Sequence, residues 1–232
     1  MRYEMEEIIR YSQTDGNLRL TVPALLDFFQ DAATLQAEEA GVGAGVLAGR
    51  KLAWFLVSWN VEIIRLPKHG EKVIVGTFPY HFHGRFGNRN CYLRTPEGEY
   101  LAKADSLWAM ADREQGKIVL IPDDVAAAYE AEEQLPMEYL GRRIDLPEGM
   151  TGCEPITALA ENIDFHGHVN NSQYIHMLRA FLPERLSRIR VEYKRQTRLG
   201  EILTPYRKEE NGVLTVSLCV DGEPHVNVEI TY

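Results

Sequence analysis

A chain of 232 residues that is 45% hydrophobic and 25% charged can bury one large core or two small ones. Its formal net charge of -9 offers no positive field for phosphate, so nucleic acid is excluded as an expected partner. The longest apolar run, around Ala53 to Val57, is too short for a bilayer, and Met1 to Glu7 lacks the basic and apolar regions of a signal peptide. No membrane association and a cytoplasmic residence are therefore expected.

Three cysteines, Cys91, Cys153 and Cys219, lack metal-site spacing; they argue against a disulfide framework or a structural zinc and read as small core residues. Thr21 is placed to cap a helix with Pro23 in its first turn, and Leu25, Phe28, Phe29, Ala32, Ala33 and Ala40 share one face, which predicts a buried helix. Residues 41–49 are too glycine-rich to continue it. Ala53, Phe55, Val57, Trp59, Val61 and Ile63 then alternate as a long strand against a core. Further strands are expected at 72–78, 88–94 and 99–111, the last two joined by a turn at Pro96-Glu97-Gly98. Residues 123–134 read as an acidic helix and 136–149 as a linker. Strands around 202–208, 213–220 and 225–231 follow, with hairpin turns at Asn211-Gly212 and Asp221-Gly222.

Asp164-Phe165-His166-Gly167-His168-Val169-Asn170-Asn171 concentrates an acid, two imidazoles and two amides immediately before a helical pattern. Asn170 with Gln173 three residues later signals the helix start, and Tyr174, Ile175, Leu178, Phe181 and Leu182 supply an apolar stripe until Pro183. Such a loop can direct backbone N–H groups near Val169 to Asn171 at developing negative charge. The segment also has an internal echo. Val61 to Glu71 and Val191 to Glu201 share Val, Glu, Arg, Gly and Glu at one offset, 200 − 70 = 130, and Asp15 precedes a helix as Asp164 does, at 164 − 15 = 149. The order loop, helix, long strand, Gly-Glu turn, strand thus occurs twice, as expected of two copies of one unit. The first copy places Arg19 opposite His168 and Thr21-Val22 opposite Asn170-Asn171, so its chemistry is lost and Asp15 reads as structural. The expected class is α+β, each unit one apolar helix packed on a largely antiparallel sheet.

A helix wrapped by an antiparallel sheet, with a D-x-x-x-H-V-N-N loop leading into it, resembles the hot-dog fold. Two such units in tandem, with the motif only in the second, resemble the acyl-acyl-carrier-protein thioesterases of plants and bacteria. The resemblance extends over Tyr11 to Asp15, Trp54 to Gly70, Ser106 to Met110, Ile121-Pro122, Asp164 to Asn171 with Tyr174-Ile175, and Glu192 to Arg195. It implies a non-catalytic, acyl-binding unit over 1–134, with a linker helix, and a catalytic unit over 135–232. It implies no cofactor, acylated carrier protein as substrate and partner, and a monomer or a homodimer of tandem units.

The family's active-site positions fall on Asp164, His168, His166, Gln196 and Thr197. Plant members typically carry Asn at the position of His166 and Glu-Cys at Gln196-Thr197. An amide is no base for a threonine hydroxyl, so water is the expected nucleophile. Either Asp164 or His168 can activate it, with Asp164 alternatively holding the imidazole tautomer. Asn170 and Asn171 are candidates for holding the loop or the pantetheine arm, and Trp54 and Phe28, with Leu25, Phe29 and Leu56, for lining an acyl site. Plainer roles stand beside these: turn formation for Asp164, capping for Asn170 and Asn171, strand-end positions for Gln196 and Thr197, and core packing for the apolar set. His166, His168, Asp164 and His176 also admit a metal reading, but the helix start already explains their spacing and no metal is expected. Arg65, Lys68, Arg190, Lys194, Arg195 and Arg198 are candidates for contacting an acidic carrier or simply solvated strand positions. Hydrolysis of acyl-coenzyme A and a catalytically silent acyl-binding module are the alternative functions.

Overall fold

The computed structural model describes residues 2–232. The chain divides into two compact units, one formed by residues up to Val57 with Val61–Tyr139, the other by Ser58–Asn60 with Leu140–Tyr232.

In the first unit, β1 (Tyr3–Ile8) leads through a 3-10 turn to α1 (Val22–Glu39), α2 (Ala44–Gly49) and β2 (Leu52–Ile63). β3 (Lys72–His83), β4 (Phe86–Arg94), β5 (Tyr100–Asp112), the short β6 (Lys117–Ile118) and α3 (Asp123–Ala127) follow. Hydrogen-bonded neighbours run β1-β3-β4-β5-β2, with β6 on β5. α1 lies against β3 and β4. Thr21 caps α1 by accepting from the Ala24 N–H at 3.3 Å, and Leu25, Leu26, Phe28, Phe29, Ala32 and Ala33 bury its length. β1 carries three glutamates in six residues, a weak strand signal that suits the sheet edge it occupies.

Several predicted elements differ from those formed. Glycine ends α1 as expected, but 44–49 forms a second short helix with Leu47 buried. β3 continues past Pro79 because the ladder with β4 breaks register between Pro79 and His81, a bulge that tolerates the missing N–H. Burial along β2 does not alternate: Leu56, Trp59 and Val61 are all covered. The acidic helix stops at Ala127. Val125 and Tyr129 pack in a cluster with Met110 and Leu47, whereas Leu135 joins Phe78 and Tyr92 in another. An extended segment bridges the two.

That segment is pinned by polar contacts. The Leu135 N–H donates to Asn90 Oδ1 at 2.9 Å, and Tyr139 Oη lies 3.0 Å from the same oxygen. Tyr80 packs edge-on to Tyr139 and donates to Asp105 Oδ1 at 2.8 Å. Burial pushes the Asp105 carboxyl up to about 6 from 3.8, outweighing the hydrogen bonds from Tyr80 and the Ser106 N–H. Because the folded state holds this proton more tightly, the group's contribution to stability declines as pH rises from about 4 through about 6. Asp105→Asn keeps an acceptor for Tyr80 and is expected to stabilise the protein by about 1 to 2 kcal/mol at pH 8 and negligibly at pH 4. Urea unfolding at the two pH values checks this; equal differences at both would remove Asp105 as the cause.

In the second unit, β7 (Thr151–Gly152) and β8 (Ile156–Thr157) precede a 3-10 turn and α4 (Asn171–Met177). β9 (Arg188–Tyr193), β10 (Ile202–Glu210), β11 (Val213–Val220) and β12 (Glu223–Thr231) complete it. The order is β9-β12-β11-β10-β7, with β8 also on β10, so each later strand occupies the place its counterpart has in the first unit. Asn211, Gly212, Asp221 and Gly222 all have positive φ, the type I′ conformation that Asn-Gly and Asp-Gly favour. α4 is shorter than its apolar stripe. The chain tightens into a 3-10 turn over Arg179–Phe181 before Pro183, which disfavours helix at Leu182.

The duplication reappears as matched backbone hydrogen bonds. Leu20 N–H donates to Pro67 O and Val169 N–H to Thr197 O, both at 2.8 Å, at the two offsets read from sequence. Ile9 donates to Glu71 O as Ala158 does to Glu201 O, and Gly70 donates to Ile9 O as Gly200 does to Ala158 O. Glu71 and Glu201 accept from the backbone of Lys68 and Arg198 in the same way.

Candidate active site

The Asp164 loop is closed by its own backbone. Asp164 N–H donates to His168 O at 2.8 Å, Gly167 N–H to Asp164 O at 3.0 Å, and Ile163 bridges Val169. Gly167 takes φ +80°, a left-handed turn position that suits glycine. Asp164 Oδ1 accepts from the His166 N–H at 2.8 Å and, more weakly, from the His168 N–H at 3.4 Å. Asp15 does the same in the first unit, where Oδ1 accepts from Asn17 and Arg19 N–H at 2.8 and 2.9 Å.

This geometry corrects one expectation. Asp164 reaches His168 through the backbone, not the ring, and so does not hold the imidazole tautomer. His168 Nδ1 is buried with no hydrogen-bond partner among the described residues. Burial lowers the pKa of this partly exposed imidazole, against the opposing pull of the Asp164 charge, so the ring is neutral at neutral pH. His166 packs edge-on against exposed Phe165, with ring centroids 5.3 Å apart.

Asn170 caps α4: its Oδ1 accepts from the Ser172 N–H at 3.1 Å and lies 3.2 Å from Ser172 Oγ. The expected capping box does not close, because Gln173 Oε1 accepts from Asn162 Nδ2. The expected set of oxyanion donors is reduced as well. Val169 N–H is bound to Thr197 O and Asn170 N–H to Asn162 O, which leaves that of Asn171 without an acceptor among the described residues. The Asn171 carbonyl accepts from Tyr193 Oη at 2.9 Å.

Thr197 and Gln196 diverge. Gln196 is exposed, with no hydrogen bond among the described residues, whereas Thr197 is 0% exposed. Thr197 N–H donates to Tyr174 Oη at 3.1 Å, and Thr197 Oγ1 lies 2.8 Å from His225 Nδ1. His225 is buried, and burial holds its imidazole below the usual range, so the ring is neutral at neutral pH and its tautomer sets which partner of the Thr197 hydrogen bond donates. In sequence Tyr174 belongs to the apolar stripe of its helix, and the only local signal of His225 is an isolated polar residue beside Val226 and Val228. Together these groups fasten α4 and the loop to the chain after β9.

In the first unit, Phe28 is 4% exposed on α1, and Trp54 packs on the Met110 and Tyr129 cluster, 6.3 Å from Phe82 between ring centroids. Four of the six basic candidates have anionic neighbours: Arg65 pairs with Glu71, Arg190 with Glu229, Lys194 with Glu192 and Arg195 with Glu223. Cys91 and Cys219 are buried as expected, but Cys153 is only partly so. Among the described residues no cluster of three or more His, Cys, Asp or Glu is placed to hold a metal, and no helix is long and apolar enough to cross a membrane.

Comparison with known proteins follows the two-unit division. The family model described as the acyl-ACP thioesterase N-terminal domain matches residues 1–129, and that of the C-terminal domain matches residues 154–232. Among curated relatives, the chloroplastic oleoyl-acyl carrier protein thioesterase 1 of Arabidopsis thaliana is 23% identical over 230 residues, covering 88% of this chain and 62% of that protein. A chloroplastic acyl-acyl-carrier-protein hydrolase of Cuphea viscosissima is 24% identical, covering 79% of this chain and 49% of the relative. The chain thus spans about half to three-fifths of the length of these relatives. The fold matches the crystal structure of an acyl-ACP thioesterase from Bacteroides thetaiotaomicron with TM-score 0.90 and 24% identity, over 99% of this chain and 97% of that one. It matches a 12:0-ACP thioesterase from Umbellularia californica with TM-score 0.87 and 19% identity, over 99% and 96% of the two chains.

Proposed function

Because the chain belongs to the acyl-ACP thioesterase family, whose two domain models match residues 1–129 and 154–232, we propose that it hydrolyses acyl thioesters of acyl carrier protein and releases the free fatty acid. The observation that carries the assignment of the site is His168: a buried imidazole nitrogen with no hydrogen-bond partner among the described residues, in the loop that leads into α4. A buried polar atom without a partner calls for an explanation, and a reacting water or substrate supplies one.

Water attacks the thioester carbonyl carbon while His168 takes its proton. The neutral imidazole suits this role near neutral pH. Asp164 fixes the loop through Oδ1, and its charge stabilises the imidazolium. The Asn171 N–H donates to the oxyanion. Collapse of the tetrahedral intermediate breaks the C–S bond, and the imidazolium returns the proton to the leaving thiolate of the pantetheine arm. Thr197 is sealed and hydrogen-bonded to His225, which favours water over a threonine nucleophile. His166 within the loop and Gln196 on the chain after β9 contact the substrate. The second unit carries the chemistry, and the first, with Trp54 and Phe28, holds the acyl chain.

The reading places the protein in the cytoplasm, in fatty acid biosynthesis, as a monomer or a homodimer of the two-unit chain. Purified protein is expected to release free thiol from acyl carrier protein thioesters well above background. Release from coenzyme A thioesters alone would move the substrate, and release from neither would leave an acyl-binding module.

A further inference from the structure

The interior of the first unit contains a cation with no anion to match it. Arg89 lies on β4 and is only 7% exposed. Its Nη1 donates to Gln36 Oε1 of α1 and, at 3.1 Å, to Thr77 Oγ1 of β3. The guanidinium carbon sits 5.6 Å from the Tyr129 ring centroid. No carboxylate pairs with Arg89 among the described residues, and Nε and Nη2 make no hydrogen bond there. The acidic groups closest in effect, Tyr129 and Cys91, do not supply a counter-charge: burial raises both, the Cys91 thiol to about 11, so both are neutral at neutral pH. A buried cation without a counter-charge is costly, and arginine keeps its charge.

The unused donors have a definite shape. Nε–H and the adjacent N–H of Nη2 are parallel, the edge of a guanidinium that holds a carboxylate through two hydrogen bonds. Both engaged donors come from Nη1, so this edge is intact. Tyr129 also lies 5.7 Å from Phe82 between ring centroids, and Phe82 packs with Trp54, so a run of aromatic rings connects Arg89 to a side chain assigned to the acyl chain. We propose that Arg89 is a carboxylate-binding site in the acyl-holding unit, taking either a free fatty acid or a carboxyl at the distal end of the acyl group. This rests on the reading of the first unit as the acyl site, but not on hydrolysis.

The test is a titration of the intact protein with decanoate and with decanol, following the Nε–H resonance of Arg89, identified by its loss in Arg89→Lys. Decanoate is expected to move that resonance and decanol to leave it in place. Decanoate is also expected to bind at least about 10-fold more tightly than decanol, a preference lost in Arg89→Met. A resonance unmoved by decanoate overturns the proposal, and so does a preference that survives in folded Arg89→Met. Should that variant not fold, the wild-type resonance still decides.

Acyl carrier protein thioesters of decanoate and of decanedioate separate the two sources. At least about 10-fold faster turnover of the decanedioyl thioester in the wild type, lost in Arg89→Met, assigns the site to the acyl group's distal carboxyl. Inhibition by decanoate that weakens in Arg89→Met, without that substrate preference, assigns it to the free acid. If neither thioester is hydrolysed while decanoate still moves the resonance, the hydrolase reading fails and the Arg89 site stands.

Discussion

Replacing His168 by alanine is expected to lower kcat by about 10²- to 10⁴-fold, the range for loss of a positioned general base, while leaving thermal stability within about 0.5 kcal/mol. The asymmetry follows from the structure. The ring makes no hydrogen bond among the described residues, so its removal leaves no orphaned partner there. The loop keeps its shape because its turn is closed by the Asp164 and Gly167 N–H groups. Wild-type activity should rise with pH through a midpoint below the ordinary 6.5 of histidine, because burial lowers this imidazole and the catalytic form is the neutral one. Initial rates of thiol release from pH 5 to 8, with unfolding curves for both proteins, check all three points. A variant that retains full rate would remove His168 from the mechanism.

The second large effect separates the two roles of Asp164. Asp164→Asn retains Oδ1 for the His166 and His168 N–H groups but removes the charge beside the imidazole. It is expected to fold with near-native stability, to lose about 10- to 100-fold in kcat, and to shift its acid limb to lower pH, because the charge that favours the imidazolium is gone. Asp164→Ala loses both functions. It should add a stability loss of about 1 to 2 kcal/mol, typical when a side-chain acceptor for backbone N–H groups is deleted. Asp15→Ala, which removes the matching turn from the first unit, should show the stability loss with little effect on rate. Equal activities for the Asn and Ala variants of Asp164, despite different stabilities, would mean that the turn contributes nothing to rate.

What was legible in the sequence was what is decided locally or by repetition. Asn211-Gly212 and Asp221-Gly222 specify their turns through positive φ alone, and the two offsets of the repeat reappear as paired hydrogen bonds. Element lengths were less legible, because tertiary demands set them: a bulge carries β3 through Pro79, and α3 ends where the chain must cross from one cluster to another. At the site, the loop and its cap were readable from residue types. Which groups the Asp164 carboxylate would bind was not, since that depends on turn geometry. The Thr197 and His225 pair joins positions 28 residues apart, on opposite sides of two hairpins, beyond the reach of any local pattern.

The matched turns around Asp15 and Asp164 carry a historical consequence. Each loop is held by main-chain bonds and one carboxylate oxygen, so the residue opposite can change without unfolding the turn: His168 in one copy is Arg19 in the other, and Gly167 is Leu18, which tolerates φ +55°. Architecture and reactivity are inherited separately at this position. On the proposed division of labour, one half of a duplicated gene could therefore drift toward a new task while its scaffold was kept.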